Sequence, residues 1–215
     1  MAIKTLNDYN IANKKILVRA DLNVPLENGK ISDISRLISA TPTIKTIQSL
    51  GGITILISHF GRPNGSYKEE LSLKQVVPEL ENLLNCPVKF SSELVGKNVR
   101  KKIDNLIGGE ILLLENTRFF AEEEMNDESF SIELSKLGDI FCNDAFSSSH
   151  RAHASTVGVS KLLPNCAGHL MKKEIDTLEN VLKKPQKPLT AVVGGAKIST
   201  KLNLLLNLIK KVDYL

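Results

Sequence analysis

Glu110-Ile111-Leu112-Leu113-Leu114-Glu115-Asn116-Thr117-Arg118 is the stretch that decides the fold. Its apolar run has no polar alternation, so it fits a short strand buried on both faces, the kind found in parallel sheets covered by helices. The run then stops abruptly in polar, ligand-type residues. The same grammar repeats in both directions. Candidate strands are Lys15–Ala20, Ile53–Ser58, Val88–Phe90, Glu110–Leu114, Asp139–Cys142 and Leu189–Val193. Helix-period stretches lie near Ser35–Ser49, Ser72–Leu84, Lys97–Leu106 and Asp127–Lys136. Strands separated by helices predict an α/β domain of three layers, a parallel sheet with helices on both faces.

A boundary is expected at Lys183-Lys184-Pro185-Gln186-Lys187-Pro188, which ends the helical stretch His169–Leu182 and precedes the apolar Leu189–Val193. A glycine turn and a helix near Ser199–Lys211 follow. That helix carries Leu202, Leu204, Leu205, Leu206, Leu208 and Ile209, apolar on nearly all sides, and such a helix requires burial between layers. One strand and one helix cannot provide it. Residues 186–215 are therefore expected to open a truncated second α/β domain.

Bulk properties bound the partners. A chain of 215 residues with 42% hydrophobic and 24% charged content is an ordinary globular sequence. No apolar run has the length of a bilayer span, and Met1–Asn10 has no signal-peptide pattern. The three cysteines, Cys86, Cys142 and Cys166, fit neither a disulfide framework nor a zinc site and are expected reduced, in a cytoplasmic protein. The net charge of +4 permits an anionic partner. Lysines crowd helix-like stretches as solvated pairs such as Lys101-Lys102 and Lys172-Lys173, whereas the six arginines are Arg19, Arg36, Arg62, Arg100, Arg118 and Arg151. Most arginines fall in or beside loops around predicted strands, where a planar fork suits phosphate and carboxylate.

Ligands of open parallel sheets bind beyond the carboxyl ends of the strands. Here those ends read Asp21-Leu22-Asn23, His59-Phe60-Gly61-Arg62, Glu115-Asn116-Thr117-Arg118 and Asn143-Asp144, with His150-Arg151-Ala152-His153 close behind. One rim would gather Arg36, His59, Arg62, Arg118, His150, Arg151 and His153 around Asp21. Such a cluster repels itself unless an anion neutralises it, most simply a phosphate monoester that also carries a carboxylate. Each piece alone has a plainer reading. Asp21 and Asn23 suit a turn, His59 a satisfied core position, and His150–His153 a metal site that lacks supporting ligands. Arg118 suits a surface pair with Glu122 or Glu123, and Arg36 one with Asp33. The glycines of Gly194-Gly195-Ala196-Lys197, after an apolar strand and before a helix, allow an anion to approach backbone N–H groups, and Lys197 and Lys201 lie four apart. It is neither a Walker A loop nor a dinucleotide fingerprint, and a plain strand–helix turn with solvated lysines fits equally well.

Taken together, Arg19–Pro25, Ser58–Pro63, Leu114–Phe119, Asn143–Phe146, His150–Ser155 and Gly194–Lys197 resemble phosphoglycerate kinase, in the same order and along the whole chain. The resemblance implies a Rossmann-like substrate domain over residues 1–168, an interdomain helix over 169–185 with a hinge near Pro185–Pro188, and the start of a nucleotide-binding domain over 186–215. It implies transfer of the acyl phosphate of 1,3-bisphosphoglycerate to ADP, giving 3-phosphoglycerate and ATP, with magnesium on the nucleotide, by a monomer. Asp21 and Asn23 would hold the glycerate hydroxyl and carboxylate end, and Arg36 the carboxylate that exchanges the phosphoryl group. His59, Arg62, Arg118 and Arg151 would hold the 3-phosphate. Lys197 would stabilise the phosphoryl group in flight, Lys201 would contact nucleotide phosphates, and Gly195 belongs to the nucleotide loop. Ala20, Phe60 and Ser147-Ser148-Ser149 depart from the residues common in that family. The second domain's remaining loops and magnesium ligand have no counterpart before Leu215, so substrate binding without efficient catalysis is expected. Two other classes compete. One is a stand-alone phosphate-ester-binding or regulatory protein using the same rim. The other is a nucleic-acid binder, disfavoured by 5% aromatics and scattered lysines.

Overall fold

The computed structural model describes residues 3–183, 185–194 and 202–215. In chain order its elements begin with β1 (Lys15–Arg19), the short strands β2 (Leu26–Glu27) and β3 (Lys30–Ile31), α1 (Ser35–Ser49) and β4 (Ile53–Ile57). Next come α2 (Val77–Leu84), β5 (Lys89–Ser91), α3 (Lys97–Asp104), β6 (Ile111–Leu114), α4 (Ala121–Glu124) and α5 (Glu128–Ser135). The series ends with β7 (Ile140–Asn143), β8 (Asn165–Ala167), α6 (His169–Lys183) and α7 (Leu202–Leu208). The described residues divide into two compact units, one up to Lys172 and one from Lys173 onward.

In the first unit six strands form one sheet in the order β5-β6-β4-β1-β7-β8, and every ladder is parallel. The chain steps outward from β1 through β4, then returns after β6 to add β7 on the other side of β1. The order therefore reverses at β1, and the carboxyl ends of β4, β1 and β7 border the place where such sheets bind ligands. Alternate strand residues serve opposite layers. Ile16, Val18, Leu56, Leu113 and Cys142 join Leu37, Ile44, Leu80 and Leu84 from α1 and α2 in one core. Leu17, Ile55, Ile57, Leu112, Leu114 and Phe141 join Val99, Ile103, Phe130 and Leu134 from α3 and α5 in the other. With each buried leucine or isoleucine contributing about 1.5–3 kcal/mol, both faces must stay covered.

Several element ends differ from the sequence reading for identifiable reasons. The stretch expected as one helix over Ser72–Leu84 starts as a 3-10 turn, Leu73–Val76, before α2 begins at Val77. Pro78 has no N–H to give and is tolerated only in a first helical turn, so the α-helix starts there. Pro42 lies inside α1. The carbonyl of Ile38, which would have received the missing N–H, is taken by the hydroxyl of Thr41 at 2.8 Å. Strand β8 and the β2–β3 hairpin were not expected. The hairpin turns at Asn28 and Gly29, with φ of 51° and 74°, a pairing that favours this type of turn.

In the second unit, among the described residues, the expected strand Leu189–Val193 forms only an isolated parallel bridge, Thr190 with Tyr214. Ala191 N–H donates to the Tyr214 carbonyl at 2.8 Å and Asp213 N–H to that of Leu189 at 2.8 Å. Helix α7 buries none of its side chains, and Leu202 and Ile209 are 54% and 58% exposed. Among the described residues no helix is long and apolar enough to cross a membrane.

Gly138, which leads into β7, packs against the backbone of β1. A Cβ there would meet Leu17 N at 3.1 Å and Lys15 O at 3.2 Å. Gly138→Ala is expected to destabilise the protein by about 1–3 kcal/mol, seen as a lower urea midpoint. An unchanged midpoint would contradict the close β1–β7 approach.

Candidate functional site

Strand β1 delivers the first charge. Arg19, its last residue, is 1% exposed, and a buried guanidinium must spend its donors. Nε donates to Ser155 Oγ at 3.0 Å, Nη1 donates to the Ala20 carbonyl, and Nη2 lies 3.0 Å from His59 Nδ1. A guanidinium only donates, so Nδ1 of His59 is the acceptor and the neutral ring carries its proton on Nε2. Burial, then the charges of Arg19 and Arg118, push the His59 pKa down to about 3. His59 is therefore an uncharged donor at neutral pH.

Two residues on, Asp21 accepts hydrogen bonds from Arg36 Nη1 and, at 2.5 Å, from Ser147 Oγ. Burial raises the Asp21 pKa, but the bonds from Ser147 and Arg36 and the Arg36 charge outweigh it and hold the carboxyl below its usual range. Gly61 stitches the adjoining strand ends together. Its N–H donates to Asn23 Oδ1 at 2.8 Å and its carbonyl receives Arg118 Nη1 at 2.9 Å. Its φ of +58° suits glycine. Arg118 Nε lies 3.0 Å from Glu124 Oε1 as an ion pair. The charges of Arg62 and Arg151 both act on Arg118, and that of Arg151 acts on His59 as well.

The structure thus brings Asp21, Asn23, His59, Arg62 and Arg118, which follow β1, β4 and β6, together with Arg36 from the first turn of α1 and Arg151 from the loop after β7. His150 is exposed and makes no hydrogen bond to this group among the described residues. His153 is half-buried, with Nδ1 3.8 Å from Glu123 Oε1. The surface pairs considered from sequence do not form. Arg36 turns to Asp21 while Asp33 accepts from Ser35 N at 2.7 Å, and Arg118 takes Glu124, not Glu122 or Glu123. Gly195, Lys197 and Lys201 lie outside the described residues. Among the described residues no group of three or more His, Cys, Asp and Glu side chains is placed to hold a metal ion.

Sequence reasoning missed the scaffold beneath these residues. Asn116 is buried and uses all its capacity. Its Nδ2 donates to the Phe60 and Leu71 carbonyls at 2.7 and 2.9 Å, and its Oδ1 accepts from Phe60 N and Arg118 N at 3.1 and 3.0 Å. Glu115 is likewise buried and accepts from Ser72 Oγ, Leu73 N and Asn116 N at 2.7, 2.9 and 2.7 Å. Both had looked like ligands. Ser147, in the serine run, acts on Asp21. Arg19, counted among the six arginines and given no role, is the last residue of an apolar strand. An arginine inside a strand expected to be buried on both sides was the available signal.

The family model for phosphoglycerate kinase matches residues 6–215. Curated phosphoglycerate kinases of Ruegeria pomeroyi and Rhodospirillum centenum are each 51% identical over 215 residues, covering 100% of this chain and 54% of each relative. The chain spans about half the length of the curated relatives it matches. The solved phosphoglycerate kinase of Coxiella burnetii is similar with a TM-score of 0.87 at 38% identity, covering 99% of this chain and 53% of that one. That of Pyrococcus horikoshii gives 0.86 at 34% identity, with 96% and 52% covered.

The His59 geometry has a direct readout. Its ring resonances should not titrate between pH 5 and 8 in NMR spectra of the folded protein. The unfolded chain takes up this proton near 6.5 and the folded one only near 3, so the His59 contribution to stability falls as pH drops through 6.5. A titration midpoint near 6.5 in the folded protein would contradict the buried, guanidinium-bonded ring.

Proposed function

The chain belongs to the phosphoglycerate kinase family, and from that premise we propose that its first unit binds the acid substrate of that reaction, 3-phosphoglycerate or 1,3-bisphosphoglycerate. In the reaction an oxygen of the ADP β-phosphate attacks the acyl phosphorus, the bond from phosphorus to the acyl oxygen breaks, and ATP and the carboxylate of 3-phosphoglycerate result, as in glycolysis. No general base is required because the attacking group is already an oxyanion. The protein's task is alignment and neutralisation of charge.

The observation that carries this reading is the charge count at the strand ends. Arg19, Arg36, Arg62, Arg118 and Arg151 face the carboxylates Asp21, Glu123 and Glu124, around a neutral His59. Two positive charges are left over, which matches the dianionic phosphate group of 3-phosphoglycerate; its carboxylate brings a further negative charge beyond that surplus. In this reading His59 offers Nε2–H without adding charge, and Arg62, Arg118 and Arg151 hold the 3-phosphate. Asp21 and Asn23 fix the glycerate hydroxyl and carboxylate end, and Arg36 lies at the carboxyl group that exchanges the phosphoryl. Ser147, through Asp21, keeps Arg36 in place. Residues 1–168 serve as the acid-binding domain, 169–185 as the interdomain helix, and 186–215 as the start of the nucleotide domain. There Gly195, Lys197 and Lys201 are proposed for the transferred phosphoryl and the phosphates of magnesium-bound nucleotide, itself a substrate. The protein is read as cytoplasmic and monomeric, and this chain as a binder without efficient turnover.

Isothermal titration with 3-phosphoglycerate tests the reading. Each charge-assisted contact is worth about 1.5–3 kcal/mol, so Arg62→Ala and Arg151→Ala should each raise Kd about tenfold to a hundredfold. A folded protein that gives no heat with 3-phosphoglycerate, or variants that bind as wild type does, would overturn it.

A further inference from the structure

Glu123 lies on the four-residue helix α4 and is 0% exposed, in a position where an ionised carboxylate is costly without partners. Both of its oxygens are given to one residue. Ser155 Oγ donates to Oε1 at 2.5 Å and Ser155 N–H donates to Oε2 at 2.9 Å. Ser155 is itself 0% exposed. A hydroxyl has a single proton. Because Ser155 spends it on Glu123, its oxygen meets Arg19 Nε, 3.0 Å away, as an acceptor. Arg19 in turn can only donate, so the 3.0 Å contact from Nη2 finds His59 Nδ1 without a proton.

We propose that Glu123 is a positioning residue for the phosphate site: together with Ser155 it holds Arg19 in register against His59, and Arg19, which can only donate, leaves His59 with its proton on Nε2. Glu123 orients the Ser155 hydroxyl, which accepts from Arg19 Nε, and so fixes where Arg19 sits; the direction of the Arg19–His59 bond then follows from the guanidinium itself. Glu123 also supplies the buried negative charge that Arg19 needs beside Arg118. His153 Nδ1 is 3.8 Å from the carboxylate, beyond hydrogen-bonding reach. With glutamine at this position the amide oxygen can keep the Ser155 N–H, but the amide nitrogen then faces the Ser155 hydroxyl as a donor. The hydroxyl proton is turned elsewhere, and Arg19 loses the charge that holds it in register.

This inference rests on the reading of His59 as a phosphate ligand, and the two separate experimentally. Two-bond ¹H–¹⁵N spectra of the full chain report which ring nitrogen of His59 is protonated, with no ligand needed. Wild type should show a single species protonated on Nε2. Glu123→Gln and Ser155→Ala should each give mixed or exchanging tautomers, together with a Kd for 3-phosphoglycerate raised about tenfold. Ser155→Ala keeps the carboxylate and breaks only the link, so it decides the matter if Glu123→Gln does not fold. A wild-type His59 protonated on Nδ1 would overturn the inference. So would a folded variant with both tautomer and Kd unchanged. If the tautomer changes in the variants while wild type and Arg62→Ala bind 3-phosphoglycerate equally, the relay stands and the substrate reading falls.

Discussion

Guanidinium groups gathered at one end of a sheet repel one another, and the rest of the structure follows from how that repulsion is contained. A parallel sheet forces the carboxyl ends of its strands to a single side. Whatever side chains follow β1, β4, β6 and β7 therefore meet there, regardless of their separation in sequence. The fold answers with carboxylates at graded depth. Glu123 is buried beneath Arg19, Asp21 is shielded beside Arg36, and Glu124 is half exposed against Arg118. None is placed to cancel the cluster completely, and the remaining positive charge is what the phosphate group of an anionic guest would neutralise. The buried ion pairing is thus better understood as a device for specificity than as a source of stability, since desolvation consumes much of its Coulombic gain.

Holding charges in register needs a rigid floor, which the uncharged polar residues provide. Asn116 ties the loop after β4 to the turn after β6, and Gly61 passes one hydrogen bond to Asn23 and receives another from Arg118. Removing any one partner would leave a buried group unsatisfied, at a cost of about 1–3 kcal/mol. The two apolar cores on either face of the sheet fix the strands that carry these loops.

Much of this was legible in the sequence. Uninterrupted runs such as Ile111–Leu114 and Ile53–Ile57 announce strands covered on both sides, and α1 spans the stretch that periodicity assigned. Topology alone gathered Asp21, Arg36, His59, Arg62, Arg118, His150, Arg151 and His153 at one rim, and of these His150 stays exposed and unbonded to the group among the described residues. What stayed hidden was direction. Glu122, Glu123 and Glu124 are identical in composition and adjacent in sequence. Only the turn of α4 decides that Glu123 points inward to Ser155 while Glu124 meets Arg118. Strand β8, Asn165-Cys166-Ala167, has no β-branched or alternating signature and exists because β7 offers an open edge. Conversely, Leu189–Val193 has the signature, yet among the described residues of its unit only Tyr214 bridges to it.

The most direct test follows the amide and side-chain resonances of the strand-end residues by heteronuclear NMR as 3-phosphoglycerate is added. If separate strand ends build one basin, the signals of Asp21, Asn23, His59, Arg62, Arg118 and Arg151 shift together along one binding curve and saturate at one equivalent. Shifts confined to one or two of these residues, or spread over curves with different midpoints, would show that the cationic groups act separately and would contradict the account.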